Sequence, residues 1–325
     1  MYNSKRILIT GATGFVGDFL VSALQVRWPG AEIYGTSQSK YPENKEGITI
    51  LQLDITDRQS VMRVIEAIRP AVIVHLAAQT HIPVSFDDPF ETWEVNLEGT
   101  RHLLDASVSY VPDVVMVNVG SADMYGSSFS NGGAVSESAV LQPLNPYAAS
   151  KCAADLLSFQ VSQTTGLKVL RLRPFNHTGP GQGAAFVLPS FARQIAMIEA
   201  GRQAAVIKVG NINVQRDIMD VRDMVDAYVG LLELSPKMSA GELFNIATGK
   251  ALKISTLLRY MIDQSCSDIV IEIDPLLIRG TDIDVVTCDT SKLRRHLVNW
   301  HPKISAQQTV CDVMDDWRRR VTCSA

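Results

Sequence analysis

Tyr147 and Lys151 stand four residues apart in Asn145-Pro146-Tyr147-Ala148-Ala149-Ser150-Lys151. Helical residues at i and i+4 share a face, so a phenol and an ammonium group would enter one site together. A free tyrosine ionises near pH ~10. A fixed cation beside it favours the phenolate and would bring it toward the range in which it exchanges protons. Ser121, read as the end of a strand, can hydrogen-bond the same substrate oxygen. Together the three side chains suit proton transfer at a carbonyl or alcohol oxygen. The spacing alone is common on helix surfaces, so its meaning depends on the elements around it.

Those elements begin with Gly11-Ala12-Thr13-Gly14-Phe15-Val16-Gly17, which follows the apolar run Ile7-Leu8-Ile9-Thr10 and opens an amphipathic helix. A glycine turn between strand and helix is the context of a dinucleotide site. Glycine permits the tight turn, close approach of backbone to pyrophosphate and close helix packing, while the helix N-terminus offers free N–H groups. The residues Gly11, Thr13, Gly14, Phe15, Val16 and Gly17 are therefore candidate cofactor ligands. Asp54, after the run ending at Leu53, is placed either to accept from an adenine amino group or to cap a helix. The segment Thr36-Ser37-Gln38-Ser39-Lys40 holds no carboxylate for a ribose 2′-hydroxyl. Its hydroxyls, with Lys40, suit a 2′-phosphate, which favours NADP(H) and leaves NAD(H) open.

Short apolar runs alternate with helical periods through the first half, the pattern of a parallel sheet covered by helices. Strands are expected at Arg6–Thr10, Glu32–Thr36, Ile48–Leu53, Ala71–Leu76, Val114–Val119 and Lys168–Arg173. Helices are expected at Phe15–Val26, Ser60–Ile68, Thr92–Val108 and Tyr147–Thr164. After Pro174 the alternation weakens, and Asn176-His177-Thr178-Gly179-Pro180-Gly181-Gln182-Gly183 is too rich in Gly and Pro to predict regular structure. Asp220–Leu232 reads as a further helix and Glu242–Ala247 as a strand returning to the main sheet. The expected fold is thus α/β, a doubly wound parallel Rossmann sheet with a smaller, mixed α/β C-terminal substrate domain. Its boundary is discontinuous: residues 1–173 plus about 214–247 bind the cofactor, and about 174–213 and 248–325 bind the substrate.

With 325 residues, 46% of them hydrophobic, the chain can bury a large core. A formal charge of -4 gives no general attraction for nucleic acid or an anionic membrane. No run is long enough to span a membrane, and Ile7-Leu8-Ile9 is too short for a signal-peptide core. Five scattered cysteines without a Cys-x-x-Cys pair fit reduced thiols in the cytoplasm. The six histidines have no metal-ligand spacing, so no metal is expected, and His75 reads as a packed strand-end residue.

With the glycine turn, Leu76-Ala77-Ala78, Asn96, Ser121, Tyr147 and Lys151 in order, the chain resembles the extended short-chain dehydrogenase/reductase family of nucleotide-sugar enzymes along essentially its whole length. The segments Arg173–Gln182, Val209-Gly210-Asn211, Arg216-Asp217 and Asp220–Asp223 are most similar to those of its members that reduce GDP-4-keto-6-deoxy-D-mannose to GDP-D-rhamnose. The resemblance implies that Tyr147 protonates the substrate oxygen, Lys151 tunes it and holds the ribose, and Ser121 binds the oxyanion. It also implies cofactor contacts from Ile55, Leu76, Ala77, Ala78, Gln79, Asn96 and Pro174. Substrate contacts are implied for Asp123, Asn176, Val187, Lys208, Arg216, Arg279 and Asp282.

Arg216 could equally pair locally with Asp217, and Lys208 could face water. Dehydratases of the family usually carry an Asp-Glu pair, or a Glu at the second place, where this chain has Ala122-Asp123. Ala122 has no acid or base and Asp123 is one methylene shorter, which disfavours but leaves open GDP-mannose 4,6-dehydration. UDP-hexose 4-epimerases share Ser-Ala there and usually retain NAD, so epimerisation is a rival reading. A reductase forming GDP-6-deoxy-D-talose and a non-catalytic NADP-binding regulator are two more. The chain has Arg279-Gly280-Thr281-Asp282 where the family has Arg-Pro-x-Glu, so the nucleotide contacts are less firmly implied than the reductase chemistry. The family's common assembly is also implied: a homodimer through a four-helix bundle built by the helices of Thr92–Val108 and Tyr147–Thr164, or a tetramer.

Overall fold

The computed structural model describes residues 2–39, 46–278 and 283–323. Lys40, Arg279 and Asp282 therefore lie outside the described residues. The first half runs β1 (Arg6–Thr10), α1 (Phe15–Arg27), β2 (Glu32–Ser37), β3 (Ile48–Gln52), α2 (Arg58–Ile68) and β4 (Val72–His75). Two short helices follow, α3 (Ile82–Asp87) and α4 (Pro89–Trp93), then a π-helical turn at Glu94–Glu98 that continues into α5 (Gly99–Tyr110). After β5 (Val115–Val119) come a 3-10 segment at Ala122–Asn131, α6 (Pro146–Thr165) and β6 (Lys168–Pro174). The second half holds β7 (Asn176–Thr178), α7 (Val187–Glu199), β8 (Val206–Val209), β9 (Gln215–Asp220), α8 (Val221–Leu234) and β10 (Leu243–Ile246). It ends with β11 (Ala251–Lys253), α9 (Ile254–Ile262), β12 (Val270–Ile273), β13 (Val285–Val286), α10 (Ser291–His296) and α11 (Ala306–Cys323).

The main sheet has the order β10-β6-β5-β4-β1-β2-β3, and every neighbouring pair is parallel. This is the doubly wound Rossmann arrangement, with its switch point between β1 and β4. Strands such as β4, all four residues buried, read as unbroken apolar runs because helices cover both faces. One face buries Ile7, Ile9, Val117 and Leu172 against α1 and α8. The other buries Leu8, Ile73, Met116 and Val169 against α2, α5 and α6. A separate core joins α7, α9 and α11 around Phe191, Leu258 and Val313. Among the described residues no helix is long and apolar enough to cross a membrane.

Three expectations are corrected. The helix expected over Thr92–Val108 is divided, because the backbone widens into the π-helical turn around Asn96 before α5 begins. Gly99, just after it, sits so close to the segment after β3 that a Cβ would lie 2.6 Å from the Ile55 side chain. The stretch from Asn176 does contain regular structure: β7 pairs in parallel with β9 before the glycines turn the chain. Finally β9, expected with the cofactor half, belongs to a second sheet in which it pairs with β11, β13 and β7. The chain therefore returns to the main body at Asp220 and Val221, where Asp220 caps α8 by accepting from the Arg222 amide.

Candidate active site

One cleft of about 870 Å³ opens along the C-terminal ends of β1, β4, β5 and β6. That is near the top of the range for small-molecule sites, roughly 300–1,000 Å³. Its walls bring together Ser121, Asp123, Tyr147 and Lys151 with Gly11, Thr13, Gly14, Phe15, Val16 and Gly17. Thr36, Ser37, Ile55, Leu76, Ala77, Ala78 and Pro174 line it as well, as do Asn176, Val187, Lys208 and Arg216 from the second half. Asp54, Gln79 and Asn96 are absent from the wall, and each is hydrogen-bonded to other residues.

The glycine turn is shaped by close approach. Gly11 adopts φ +70, and a Cβ there would lie 2.9 Å from the Ala77 nitrogen on the loop after β4. A Cβ on Gly17 would lie 2.5 Å from the Ala12 carbonyl oxygen. Gly14 is the N-cap of α1 and has no side chain with which to cap it, so the helix's first N–H groups face the cleft mouth. A backbone cradle of this kind fits a pyrophosphate. At the end of β2 the Thr13 hydroxyl donates to Ser37 Oγ over 3.2 Å, and the Ser39 amide also donates to Ser37 Oγ. Asp54 accepts from the Thr56 amide (2.9 Å) and hydroxyl (2.8 Å) and from Gln38 Nε2 (3.4 Å). It does not cap a helix, since Asp57 is the N-cap of α2.

The Tyr147 and Lys151 side chains are placed by α6. Asn145 caps it, accepting from the Ala148 amide at 2.7 Å, and Pro146 occupies its first turn. Tyr147 and Lys151 thus start one turn apart from a fixed point. Asn96 reinforces that point: its Nδ2 donates to the Gln79 carbonyl (3.0 Å) and to Ser150 Oγ (2.9 Å), and its Oδ1 accepts from the Gln79 amide (2.8 Å). The π-helical turn therefore ties the β4 loop to the residue preceding Lys151. Wide turns of this type frequently accompany functional positions.

Ser121 closes β5 in an extended conformation, and its Oγ accepts from the Asp123 amide at 3.1 Å. Its hydroxyl lies close enough to that of Tyr147 to favour the phenolate. The expected direction of the Tyr147 shift is corrected here. Burial holds the phenol above its ordinary value, the negative Asp123 adds to this, and only the neighbouring Ser121 hydroxyl opposes it. Lys151 is itself buried, which pulls its ammonium down to about 8 against the opposing pull of Asp155. The arrangement keeps Tyr147 a neutral phenol rather than a phenolate.

One turn beyond Lys151, the buried Asp155 carboxylate accepts from Arg171 (2.9 Å) and Arg173 (2.7 Å) on β6. Arg173 also donates to the Tyr125 hydroxyl, which donates to Asn245 Oδ1 on β10. This network locks α6 onto the sheet. His75 behaves as a packed strand-end residue, hydrogen-bonded to the hydroxyls of Thr10 and Thr100, and burial pulls it down to about 3.

The second half roofs the cleft. The His177 ring on β7 lies parallel to Phe15 of the glycine turn, 6.2 Å between centroids. The Gly181 amide donates to Asp316 on α11. Arg216 Nη1 donates to the carbonyls of Ile283 (2.7 Å) and Gln215 (2.9 Å). Asp217 accepts instead from Thr248 and the Gly249 amide. Lys208 has an exposed side chain on β8, and its backbone is paired with the Gln194 amide group. Gln38, His81 and Tyr228 also line the cleft, although nothing in the sequence pattern marked them. Gln38 was within reach of sequence reasoning, because it directly follows Ser37. His81 and Tyr228 belong to a loop edge and a core helix whose local patterns carry no ligand signal.

The chain is similar to known proteins over nearly its whole length. The family model described as GDP-mannose 4,6 dehydratase matches residues 8–313. GDP-6-deoxy-D-mannose reductase from Pseudomonas aeruginosa is 33% identical over 321 residues, covering 98% of this chain and 99% of that protein. The structure of RMD from Pseudomonas aeruginosa complexed with NADPH superposes with a TM-score of 0.82 at 32% identity, covering 97% of this chain and 99% of that one. UDP-glucose 4-epimerase from Thermus thermophilus, solved with NAD, gives a TM-score of 0.84 at 26% identity, covering 96% and 99%. With its seven-stranded Rossmann sheet, glycine turn and Ser121, Tyr147 and Lys151 in one cleft, the chain belongs to the GDP-mannose 4,6 dehydratase family of the extended short-chain dehydrogenases/reductases, enzymes of nucleotide sugars.

Proposed function

We propose that the protein reduces the C4 ketone of GDP-4-keto-6-deoxy-D-mannose with NADPH to give GDP-D-rhamnose. The observation that carries this reading is the buried Tyr147 beside the half-buried Ser121 in the cleft wall, with Ala122, which has no acid or base, next to Ser121. The glycine turn and the uncapped start of α1 suit the pyrophosphate, and the hydroxyls of Thr13 and Ser37 suit a 2′-phosphate better than a ribose diol. When bound, the nicotinamide supplies the hydride that the carbonyl carbon accepts. Tyr147, kept protonated by burial, donates its proton to the carbonyl oxygen. The Ser121 hydroxyl donates to the same oxygen and stabilises its developing charge. Lys151, charged at neutral pH, holds the ribose and offsets the charge left on Tyr147.

Asn176, Val187, Lys208 and Arg216 hold the nucleotide end, where two cations match a diphosphate. We place the cofactor in residues 1–173 with 221–247 and the nucleotide sugar chiefly in the remainder. The reductase name of the Pseudomonas aeruginosa relative and the NADPH in the related structure support this assignment. So does the lack of any carboxylate in Thr36–Ser39. The protein acts in the cytoplasm, where its five cysteines remain free thiols.

The decisive experiment is incubation with NADPH and GDP-4-keto-6-deoxymannose followed by NMR of the product. Absence of NADPH consumption would overturn the reading, and a C4 epimer would make the product GDP-6-deoxy-D-talose. Ser121 followed by Ala122 also favours a second reading, a 4-epimerase, as does the similarity to the UDP-glucose 4-epimerase. Such an enzyme would be isolated with stoichiometric NAD and would need no hydride donor.

The outer faces of α4 and α6 carry Phe90 at 87% and Leu156 at 57% exposure, with Phe159 and Trp93 nearby. We assign this face to a homodimer joined as a four-helix bundle. Sedimentation at micromolar concentration should give twice the mass of 35.6 kDa.

A further inference from the structure

Tyr228 has a buried hydroxyl without a hydrogen-bond partner among the described residues. It sits on α8, in the core on the face of the sheet opposite α6, and is 1% exposed. Its ring packs among apolar side chains, yet its oxygen has no hydrogen-bond partner among the described residues. A buried hydroxyl left unpaired costs about 1–3 kcal/mol, and a phenylalanine would fill the same space without that cost. The side chain nevertheless reaches the wall of the active-site cleft. It lies close enough to Tyr147 for that phenol to act on it: burial raises the Tyr228 pKa first, and the charge of an ionised Tyr147 raises it further.

Two tyrosines thus enter one end of the cleft from opposite faces of the sheet. Tyr147 has a partner in Ser121 and a substrate oxygen to serve. That oxygen and the carbon receiving hydride are bonded to each other, so the nicotinamide ring must lie within contact distance of the same point. The polar group at that end of a dinucleotide is the carboxamide, which has both an acceptor oxygen and a donor nitrogen. Val119 and Pro174, wall residues at the ends of β5 and β6, present apolar side chains there.

We propose that the Tyr228 hydroxyl hydrogen-bonds the nicotinamide carboxamide and fixes the ring's position over the substrate. This rests on the reading of the cleft as a nicotinamide-dinucleotide site. The bond forms only when cofactor is bound, so the hydroxyl's penalty in the free protein becomes part of the affinity for the nicotinamide end.

The test is Tyr228→Phe, measured in three ways beside the wild type: thermal midpoint without ligand, affinity for NADPH, and affinity for adenosine 2′,5′-bisphosphate, which lacks the nicotinamide. The expected result is an unchanged or raised midpoint, NADPH binding weakened about tenfold, and bisphosphate binding within about twofold of wild type. Equal NADPH affinity in the two proteins would overturn the proposal while leaving the cofactor reading intact. A lowered midpoint with both ligands weakened alike would also overturn it, because the hydroxyl would then serve the fold. If the wild type binds neither NADPH nor NADH, the cofactor reading fails and the proposal with it.

Discussion

On the proposed function, the cofactor half and the substrate half solve the same problem, holding phosphates and a sugar, with different materials. The first uses backbone: a glycine turn in which Cβ atoms at Gly11 and Gly17 would collide with main-chain atoms, and a helix start left open. The second uses side chains on short strands, with Lys208 and Arg216 reaching the cleft from β8 and β9. Backbone ligands are fixed by the sheet and tolerate almost no substitution. Side-chain ligands can be exchanged singly, which suits the part of an enzyme that must distinguish substrates. Tyr147 and Lys151, the groups proposed to react, sit on α6, with Ser121 beside them in the same cleft.

The sharpest way to separate chemistry from holding is Tyr147→Phe. It removes the proton donor while leaving both halves in place, so kcat should fall roughly 10²–10⁴-fold with NADPH affinity unchanged. Most of the activity surviving would sink the mechanism. Next in size is Asp155→Ala, which leaves the guanidinium groups of Arg171 and Arg173 buried without their carboxylate. Stability in denaturant titration should drop by about 3–5 kcal/mol. A loss below about 1 kcal/mol, the size of a solvated ion pair, would show that the network does not anchor α6.

A glycine pair addresses the comparison directly. Gly17→Ala places a methyl group against the Ala12 carbonyl, whereas nothing among the described residues lies within 4 Å of a Cβ on Gly183 in the substrate half. Gly17→Ala should weaken NADPH binding roughly tenfold or more, and Gly183→Ala should leave it unchanged. Equal effects would remove the distinction between the halves.

His75, behind the cofactor cradle, supplies a pH signature. It is neutral in the folded protein down to about 3 but takes a proton near 6.5 when unfolded. Stability from this group is therefore complete above pH 6.5 and lost as pH falls from 6.5 toward 3. Between about pH 7 and pH 5 the loss should be about 2 kcal/mol. His75→Asn should flatten that slope, and an unchanged slope would place the titrating group elsewhere. The smallest effect is expected from Lys208→Ala on the exposed face of β8. The KM for the nucleotide sugar should rise about two- to fivefold at low salt and less at high salt, with kcat held.

Much of the cofactor half was legible in the sequence. The strands of the main sheet were placed within a residue or two, because runs such as Val72-Ile73-Val74 are buried on both faces and carry no polar interruption. The glycine turn and the Tyr147 and Lys151 spacing were legible for the same local reason. The π-helical turn was not, since Asn96 is placed by partners in the β4 loop and on α6, far away in sequence. The direction of the Tyr147 shift depends on burial, a tertiary property that an i and i+4 count does not contain. In the substrate half, strands such as β7 and β13 are too short to declare a period, and they emerge only from their pairing with β9. Tyr228 lies in a helix whose pattern is that of any core helix, and only the unpaired oxygen distinguishes it.

The chain visits the second sheet at β9 and then comes back to complete the first with β10, which docks beside β6. During synthesis the nascent chain has already made every other strand of the main sheet by Pro174, yet β6 remains an open edge until Ile246 of 325 residues has emerged. An exposed parallel edge recruits strands from neighbouring chains. Between those two points in synthesis the sheet has an edge at β6 that the finished fold covers with β10.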